Sequence, residues 1–168
     1  IVYVGKEGHP EPEGAMGEAP GHVHLVTRVE DVAELGLTSS RIAITTQTTL
    51  SVWDTQSIID AVVAKYPIAE VHNDICLATQ DRQEAAVEAA DVCDLVIVVG
   101  GERSSNSKRL VEVVETIKGT PAHLVDSVTD VRTSWFEPGM RIGITSGAST
   151  PARITREVTE FVEAYQAV

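Results

Sequence analysis

The sequence predicts an α/β protein made of two small parallel-sheet units with helices on both faces. Short runs rich in Val and Ile alternate along the chain with longer amphipathic runs, a pattern typical of parallel strands joined by helical crossovers. Hydrophobic residues make up 43% of the 168 residues and aromatic residues only 4%. The core is therefore expected to consist of Val, Ile, Leu and Ala, which suits sheets buried on both faces.

Each predicted element follows from local composition and spacing. Six segments are rich in β-branched and apolar residues and are predicted to be strands: Ile1–Gly5, His22–Val26, Arg41–Thr46, Asp94–Gly100, Ala122–Val125 and Arg141–Thr145. Six segments carry apolar residues at helical spacing and are predicted to be helices: Val29–Leu35, Val52–Tyr66, Asp81–Ala90, Asn106–Lys118, Val128–Trp135 and Pro151–Tyr165.

The stretch Ile68–Asn73 is interpreted as a hinge between two units. It follows the predicted helix Val52–Tyr66, which ends at the helix-stopping Pro67, and it precedes a new cycle of helix and strand. We therefore divide the chain into a first unit of residues 1–72 and a second unit of residues 73–168.

Charge and cysteine content exclude several classes of protein. The net charge of −12 disfavours nucleic acid and anionic membrane surfaces as partners. Cys76 and Cys93 are the two cysteines, and they form no CxxC motif, which argues against a disulfide scaffold. No apolar run reaches the roughly 18–20 residues that span a bilayer. We expect a soluble cytoplasmic protein.

The first residues lie inside a predicted strand, Ile1–Gly5, with no Met or polar leader before it. We expect this chain to be a fragment whose native sequence continues upstream. The alternative is a chain trimmed to its ordered part.

Three predicted strands run directly into loops of small hydroxyl residues that open a helix: Thr45–Thr49, Gly100–Ser107 and Ser146–Thr150. Such loops place backbone N–H groups and hydroxyls at helix N-termini beyond the carboxyl ends of strands, where open α/β sheets bind anions. The alternative is that these Ser and Thr residues only cap helices. None of the loops matches the GxxxxGK[ST] pattern, so a nucleotide triphosphatase is not expected.

Two other segments contain residues able to carry chemistry. Gly8–Gly14 is predicted to be a rigid loop, with two Pro and two Gly, that presents His9 and Glu11 for anion binding or proton transfer; a solvated turn is the alternative. Cys76 lies in a polar segment just before a predicted helix start, where a thiolate is stabilised. Cys93 precedes an apolar run and is interpreted as structural.

Five of these segments together resemble the LytB reductase family. They occur in the family's order and cover nearly the whole chain: Gly8–Glu11, Thr46–Val52, Asn73–Ala85, Ser104–Ser107 and Gly147–Pro151. Members of that family remove the hydroxyl of 4-hydroxy-3-methylbut-2-enyl diphosphate to give isopentenyl and dimethylallyl diphosphates. They use a [4Fe–4S] cluster held by three cysteines and contain three similar α/β units around a central cleft. The resemblance implies that this chain is the third unit and most of the second.

The resemblance also implies roles for individual residues. Cys76 matches a cluster ligand, and His9 matches a histidine that faces the diphosphate. Glu11 matches the acid that relays protons to the substrate, and Thr48 matches its hydroxyl partner. The residues that match those holding the diphosphate are Ser104, Ser105, Asn106 and Ser149. Ser104, Asn106, Ser149 and Thr48 are expected to line one anion-accepting pocket with His9 and Glu11.

Two further cluster cysteines belong to a region of the family that precedes this chain. The chain alone is therefore expected to carry no cluster and no activity, and to self-associate through apolar surface near Ile1–Gly5. The complete enzyme is expected to take electrons from a ferredoxin or flavodoxin. Two alternatives stay open: a cluster-free phosphate-binding module in which Cys76 is inert, and a purely structural α/β domain.

Overall fold

The computed structural model describes residues 1–166 of the chain, which form two compact units, Ile1–Cys76 and a second unit that begins at Leu77. The units divide after Cys76, whereas the sequence placed the division after residue 72. The reason is hydrogen bonding to the first sheet: the Asp74 N–H donates to Thr46 Oγ1 (2.9 Å), and the Cys76 N–H donates to the Thr48 carbonyl (3.0 Å).

The first unit is a four-stranded parallel sheet in the order β2-β1-β3-β4. Its strands are β1 (Val2–Val4), β2 (His24–Val26), β3 (Ala43–Thr46) and β4 (Glu70–Val71), and its helices are α1 (Pro10–Glu18), α2 (Asp31–Glu34) and α3 (Val52–Lys65). All strand pairs are parallel, as the sequence predicted.

The core of the first unit lies on one face of this sheet. Val2 and Val4 on β1 pack with Ile44 on β3 and with apolar residues of α3, such as Val62. On the other face Tyr3 pairs in register with Thr45. A Cβ on Gly5 would lie 3.1 Å from Cε1 of the Tyr3 ring, so the ring extends along the strand towards its carboxyl end.

The second unit is a three-stranded parallel sheet in the order β6-β5-β7. Its strands are β5 (Leu95–Val99), β6 (Ala122–Val125) and β7 (Ile142–Ser146); its helices are α4 (Leu77–Ala90), α5 (Ser105–Val113), which continues as a π-helical segment to Lys118, and α6 (Ala152–Gln166). Two short 3-10 turns, Val128–Asp130 and Thr133–Trp135, follow β6.

Strand β5 is buried on both faces and forms the centre of the second unit. Val96 and Val98 pack against a cluster that includes Leu110 of α5. Ile97 and Val99 point to the opposite face, in a second cluster with residues of α6. The continuous apolar run of β5 therefore reflects helices on both sides of the sheet, and the predicted α/β architecture of two parallel-sheet units is confirmed.

The prediction of a rigid loop over Gly8–Gly14 was wrong, because helix α1 begins there at Pro10. Proline is tolerated in the first helical turn, where its missing N–H has no partner to lose. His9 is the N-cap, and its Nδ1 accepts from the Glu11 N–H at 3.3 Å. Gly8 turns the chain into the helix with a φ of 73°.

The predicted helix Val128–Trp135 was also wrong, since the segment forms two separate 3-10 turns. Ser127 and Asp130 make a capping box around the first turn, and Arg132 is extended, with φ −102° and ψ 120°, which ends any helical continuation. Strand β4 was missed inside the predicted hinge, and α4 begins at Leu77 instead of Asp81. Among the described residues, no helix combines the length and apolarity needed to cross a membrane.

Candidate functional site

Loops that follow β1, β3 and β4 meet at the carboxyl edge of the first sheet, and Gln47 joins two of them. Its side chain is buried (1% exposed). Gln47 Oε1 accepts from the Lys6 N–H at 3.0 Å, and Nε2 donates to Thr49 Oγ1 at 3.1 Å. A buried amide bonded at both ends holds these loops in a fixed relation.

Glu11 and Thr48 form a doubly bonded pair at this edge. Glu11 Oε2 accepts from the Thr48 N–H and Oε1 accepts from Thr48 Oγ1, both at 2.8 Å. Both residues are half-buried. The pair places a carboxylate and a hydroxyl in direct contact, the arrangement that a short proton relay requires.

His9 lies at the start of the same helix as Glu11. Because Nδ1 accepts a backbone hydrogen bond, a neutral ring carries its proton on Nε2.

Cys76 is held against the Thr48 loop by its amide and lies immediately before α4. Its thiol is exposed, whereas Cys93 is half-buried and packs beside the core cluster of α4 and β5. Within residues 1–166 no group of three or more His, Cys, Asp or Glu side chains could hold a metal ion. A [4Fe–4S] cluster is held by thiolates, and Cys76 is the exposed cysteine of the described chain.

Burial raises the pKa of the Tyr3 phenol, and the nearby carboxylates of Glu11 and Asp74 raise it further. The phenol therefore stays protonated beside these two acids. Asp74 in turn accepts a short hydrogen bond from the Thr45 hydroxyl.

The second unit has its own cluster of hydroxyl groups at the start of α5. Ser104 is the N-cap, and its Oγ accepts from the Ser107 N–H at 3.2 Å and from Ser107 Oγ at 3.0 Å. Ser105 and Asn106 occupy the first turn. This is a helix N-terminus of the kind that binds anions.

The loop after β7 is bonded to the carboxyl end of β5 and lies against Ser107 of α5. Thr150 Oγ1 donates to the Val99 carbonyl at 3.0 Å, and the Gly147 N–H donates to the same carbonyl at 3.0 Å. The exposed Ser149 lies in this loop. Two of the three predicted hydroxyl loops are therefore neighbours at one edge of the second sheet.

Asn106 is the clearest sign of a ligand in the second unit. Its side chain is only 8% exposed, yet in the described part of the chain neither its Oδ1 nor its Nδ2 has a hydrogen-bond partner. An unpaired buried amide costs about 1–3 kcal/mol, and such a group in a folded protein indicates a missing partner.

The structure thus brings the predicted site residues together in two groups, one in each unit. The first contains His9, Glu11, Thr48 and Cys76. The second contains Ser104, Ser105, Asn106 and Ser149. Gln47 and Ser107 were given no role from the sequence; the only available signal was their position inside motifs that had already been singled out.

Comparisons with known proteins place the chain in one family. The family model described as LytB protein matches residues 1–163. A 4-hydroxy-3-methylbut-2-enyl diphosphate reductase from Symbiobacterium thermophilum is 54% identical over 98% of this chain and 56% of its own length. The same-named protein from Halalkalibacterium halodurans is 56% identical over 98% of this chain and 52% of its own length.

A solved structure shows the same similarity in three dimensions. The E-1-hydroxy-2-methyl-but-2-enyl-4-diphosphate reductase from Plasmodium falciparum superimposes with a TM-score of 0.88 at 36% identity, over 98% of this chain and 51% of that chain. The chain spans about half the length of the curated relatives that it matches.

Proposed function

We propose, from the premise that this chain belongs to the LytB protein family, that it forms the diphosphate-binding and proton-supplying part of a 4-hydroxy-3-methylbut-2-enyl diphosphate reductase. The relatives with that name are 54% and 56% identical to this chain in sequence. The chain covers about half of their length, so the proposal concerns the activity of the whole protein.

The observation that carries the proposal is the buried, unpartnered side chain of Asn106 beside the hydroxyl of Ser104. An amide N–H and a hydroxyl at a helix N-terminus are complementary to phosphate oxygens. The exposed Ser149 supplies a further hydroxyl on the neighbouring loop.

The proposed reaction replaces the C4 hydroxyl of the substrate by hydrogen. Its balance requires two electrons and two protons, breaks the C–O bond and releases water. Glu11 holds a proton for this step, and the Thr48 hydroxyl, 2.8 Å from the Glu11 carboxylate, passes it towards the substrate. A [4Fe–4S] cluster would supply the electrons, with Cys76 as one of its ligands, and a ferredoxin or flavodoxin would be the electron donor.

The test is Asn106→Ala in the full-length protein. Removing a buried amide that lacks a partner leaves the ligand-free protein at least as stable, whereas diphosphate binding weakens roughly tenfold or more because a charge-assisted hydrogen bond is lost. Thermal unfolding and titration with the substrate measure the two effects. A loss of stability with unchanged affinity would contradict the proposal.

A second candidate function is phosphate binding without redox chemistry, since the donors of the second unit need no cysteine. Cys76→Ser separates the two functions. A reductase loses activity in this variant and keeps its affinity for diphosphate. In a phosphate-binding module, Cys76→Ser leaves the affinity for diphosphate unchanged, and there is no reductase activity to lose.

A further inference from the structure

The hydroxyl of Ser107 occupies a space that exists only because two glycines surround it. Its side chain is 1% exposed. A Cβ placed on Gly100 or on Gly147 would lie 2.2 Å from Ser107 Oγ, far inside van der Waals contact. Gly100 follows β5 and Gly147 follows β7, so Ser107 fills the gap between the two loops.

Ser107 also determines whether the neighbouring Ser104 hydroxyl is left to donate or to accept a further hydrogen bond. A serine hydroxyl has two acceptor sites and one proton to donate. Both acceptor sites of Ser104 Oγ are used, one by the Ser107 N–H at 3.2 Å and one by Ser107 Oγ at 3.0 Å. The remaining capacity of Ser104 is donation, and within residues 1–166 its hydroxyl donates no hydrogen bond.

We infer that Ser107 is a positioning residue of the anion site, which acts by making Ser104 a pure hydrogen-bond donor aimed at a phosphate oxygen. The inference rests on the proposed function, because it gives the Ser104 proton a phosphate acceptor. Ser107 does not touch the ligand. Its hydroxyl polarises and orients the Ser104 hydroxyl, and chains of hydrogen bonds strengthen one another in this way.

Gly147 packs against the same Ser107 hydroxyl. A Cβ there would approach Ser107 Oγ to 2.2 Å but Ser107 Cβ only to 3.5 Å. The same Cβ would lie 3.2 Å from Thr150 Oγ1, so alanine is accommodated if the Thr150 hydroxyl shifts by a few tenths of an ångström and the Ser107 hydroxyl rotates away, which breaks its bond to Ser104. Gly100 allows no such escape, because its added Cβ would also lie 2.8 Å from Ser107 Cβ.

The experiment measures binding of inorganic diphosphate to the full-length protein by calorimetry. Ser107→Ala is expected to weaken binding by roughly tenfold, the size of one charge-assisted hydrogen bond. Gly147→Ala is expected to give a similar loss. Thr159→Val is the matched control: it removes another hydroxyl of the second unit, which bonds only within α6, and leaves affinity unchanged.

A double-mutant cycle separates positioning from general structural support. Ser104→Gly removes the hydroxyl but keeps a residue that is tolerated at an N-cap. In that background Ser107→Ala is expected to change affinity less than about twofold, because the hydroxyl through which it acts is gone. In the same way, Gly147→Ala should add no further loss once Ser107 is Ala. Equal losses in both backgrounds, or no loss in either, would overturn the inference.

The outcome also separates the inference from the function on which it rests. If the protein binds diphosphate and Asn106→Ala weakens binding while Ser107→Ala does not, the site stands and the role of Ser107 is wrong. If the protein binds no diphosphate, both are wrong. Should Ser107→Ala unfold the protein, as thermal unfolding would show, Gly147→Ala carries the test.

Discussion

Glu11 is the residue whose replacement tests proton transfer most directly. Glu11→Gln keeps the shape of the side chain, and both contacts with Thr48 survive if the Thr48 hydroxyl reverses and accepts from the new amide. The transferable proton is lost, so kcat of the full-length protein is expected to fall by about 10²–10⁴, the usual contribution of general acid catalysis.

Affinity for the substrate should stay within about threefold of the wild-type value, because the diphosphate donors are untouched. Glu13→Gln, which changes an exposed carboxylate two residues further along α1, is the control and should leave kcat unchanged. Normal turnover of the Glu11 variant would reduce Glu11 to a residue that only anchors the Thr48 loop.

His123 links folding to pH. Its ring stacks on Trp135 with centroids 4.0 Å apart, and burial, with a smaller contribution from Arg132, lowers its pKa below the ordinary 6.5. The unfolded chain therefore binds the proton more readily than the folded chain. Stability from this residue is full above the unfolded pKa and is lost as the pH falls below it towards the folded pKa.

We expect the melting temperature to fall between pH 7 and about pH 5, and His123→Phe to flatten that fall. Phe keeps a ring against Trp135 and cannot take up a proton. His72→Gln, at an exposed position, serves as the control. Parallel pH profiles for the wild type and His123→Phe would show that this ring does not contribute.

The roles of single residues could be predicted where the residue type and its motif indicate them. They could not be predicted where the role depends on packing in the folded structure. The family motifs indicated Asn106 and Glu11 as site residues, and the structure shows one with an unpartnered amide and the other bonded to Thr48. Ser107 stands in the same motif as Ser104, but its inferred role depends on Gly100 and Gly147, which lie outside that motif. Nothing local distinguishes such a residue from an ordinary helix cap.

Helix α5 carries the proposed anion site at its start and is anchored to the sheet further along. Leu110 on this helix is fully buried. Leu110→Ala is expected to lower the free energy of unfolding by about 2–5 kcal/mol, because it removes buried methyl groups and leaves a cavity. Leu77→Ala, at a position 73% exposed, should change it by less than about 0.5 kcal/mol. Urea unfolding of both variants measures the difference, and similar small losses would contradict the packing described for α5.

Elements with a strong apolar period were predicted well, and those set by backbone geometry were not. The apolar run of β5 and the helical spacing of apolar residues in α3 reflect buried positions. Buried positions carry apolar residues, so the sequence shows them directly. Helix α1 was hidden by its prolines, which normally indicate loops but are compatible with a first helical turn. Both residues of strand β4 are exposed, so the sequence has no apolar pattern there that would predict a strand.

For the whole molecule, cysteine count limits what this chain can bind. It has two cysteines, of which Cys76 is exposed and Cys93 packs beside a core cluster. Anaerobic reconstitution of the 168-residue chain with iron and sulfide is expected to give a colourless protein, because one accessible thiolate cannot hold a cluster. A full-length LytB reductase treated in parallel is the positive control. A brown product with near-stoichiometric iron would contradict the prediction.

The way Ser107 fits between Gly100 and Gly147 has a consequence for how this protein can evolve. A side chain gained at position 147 is harmful while the hydroxyl at position 107 is present, and is expected to be nearly neutral once that hydroxyl has been lost. The order in which substitutions arise therefore decides which of them are tolerated. We expect family members with serine at position 107 to keep glycine at position 147. Members with alanine at position 107 should tolerate other residues at 147, so the two positions should vary together across the family.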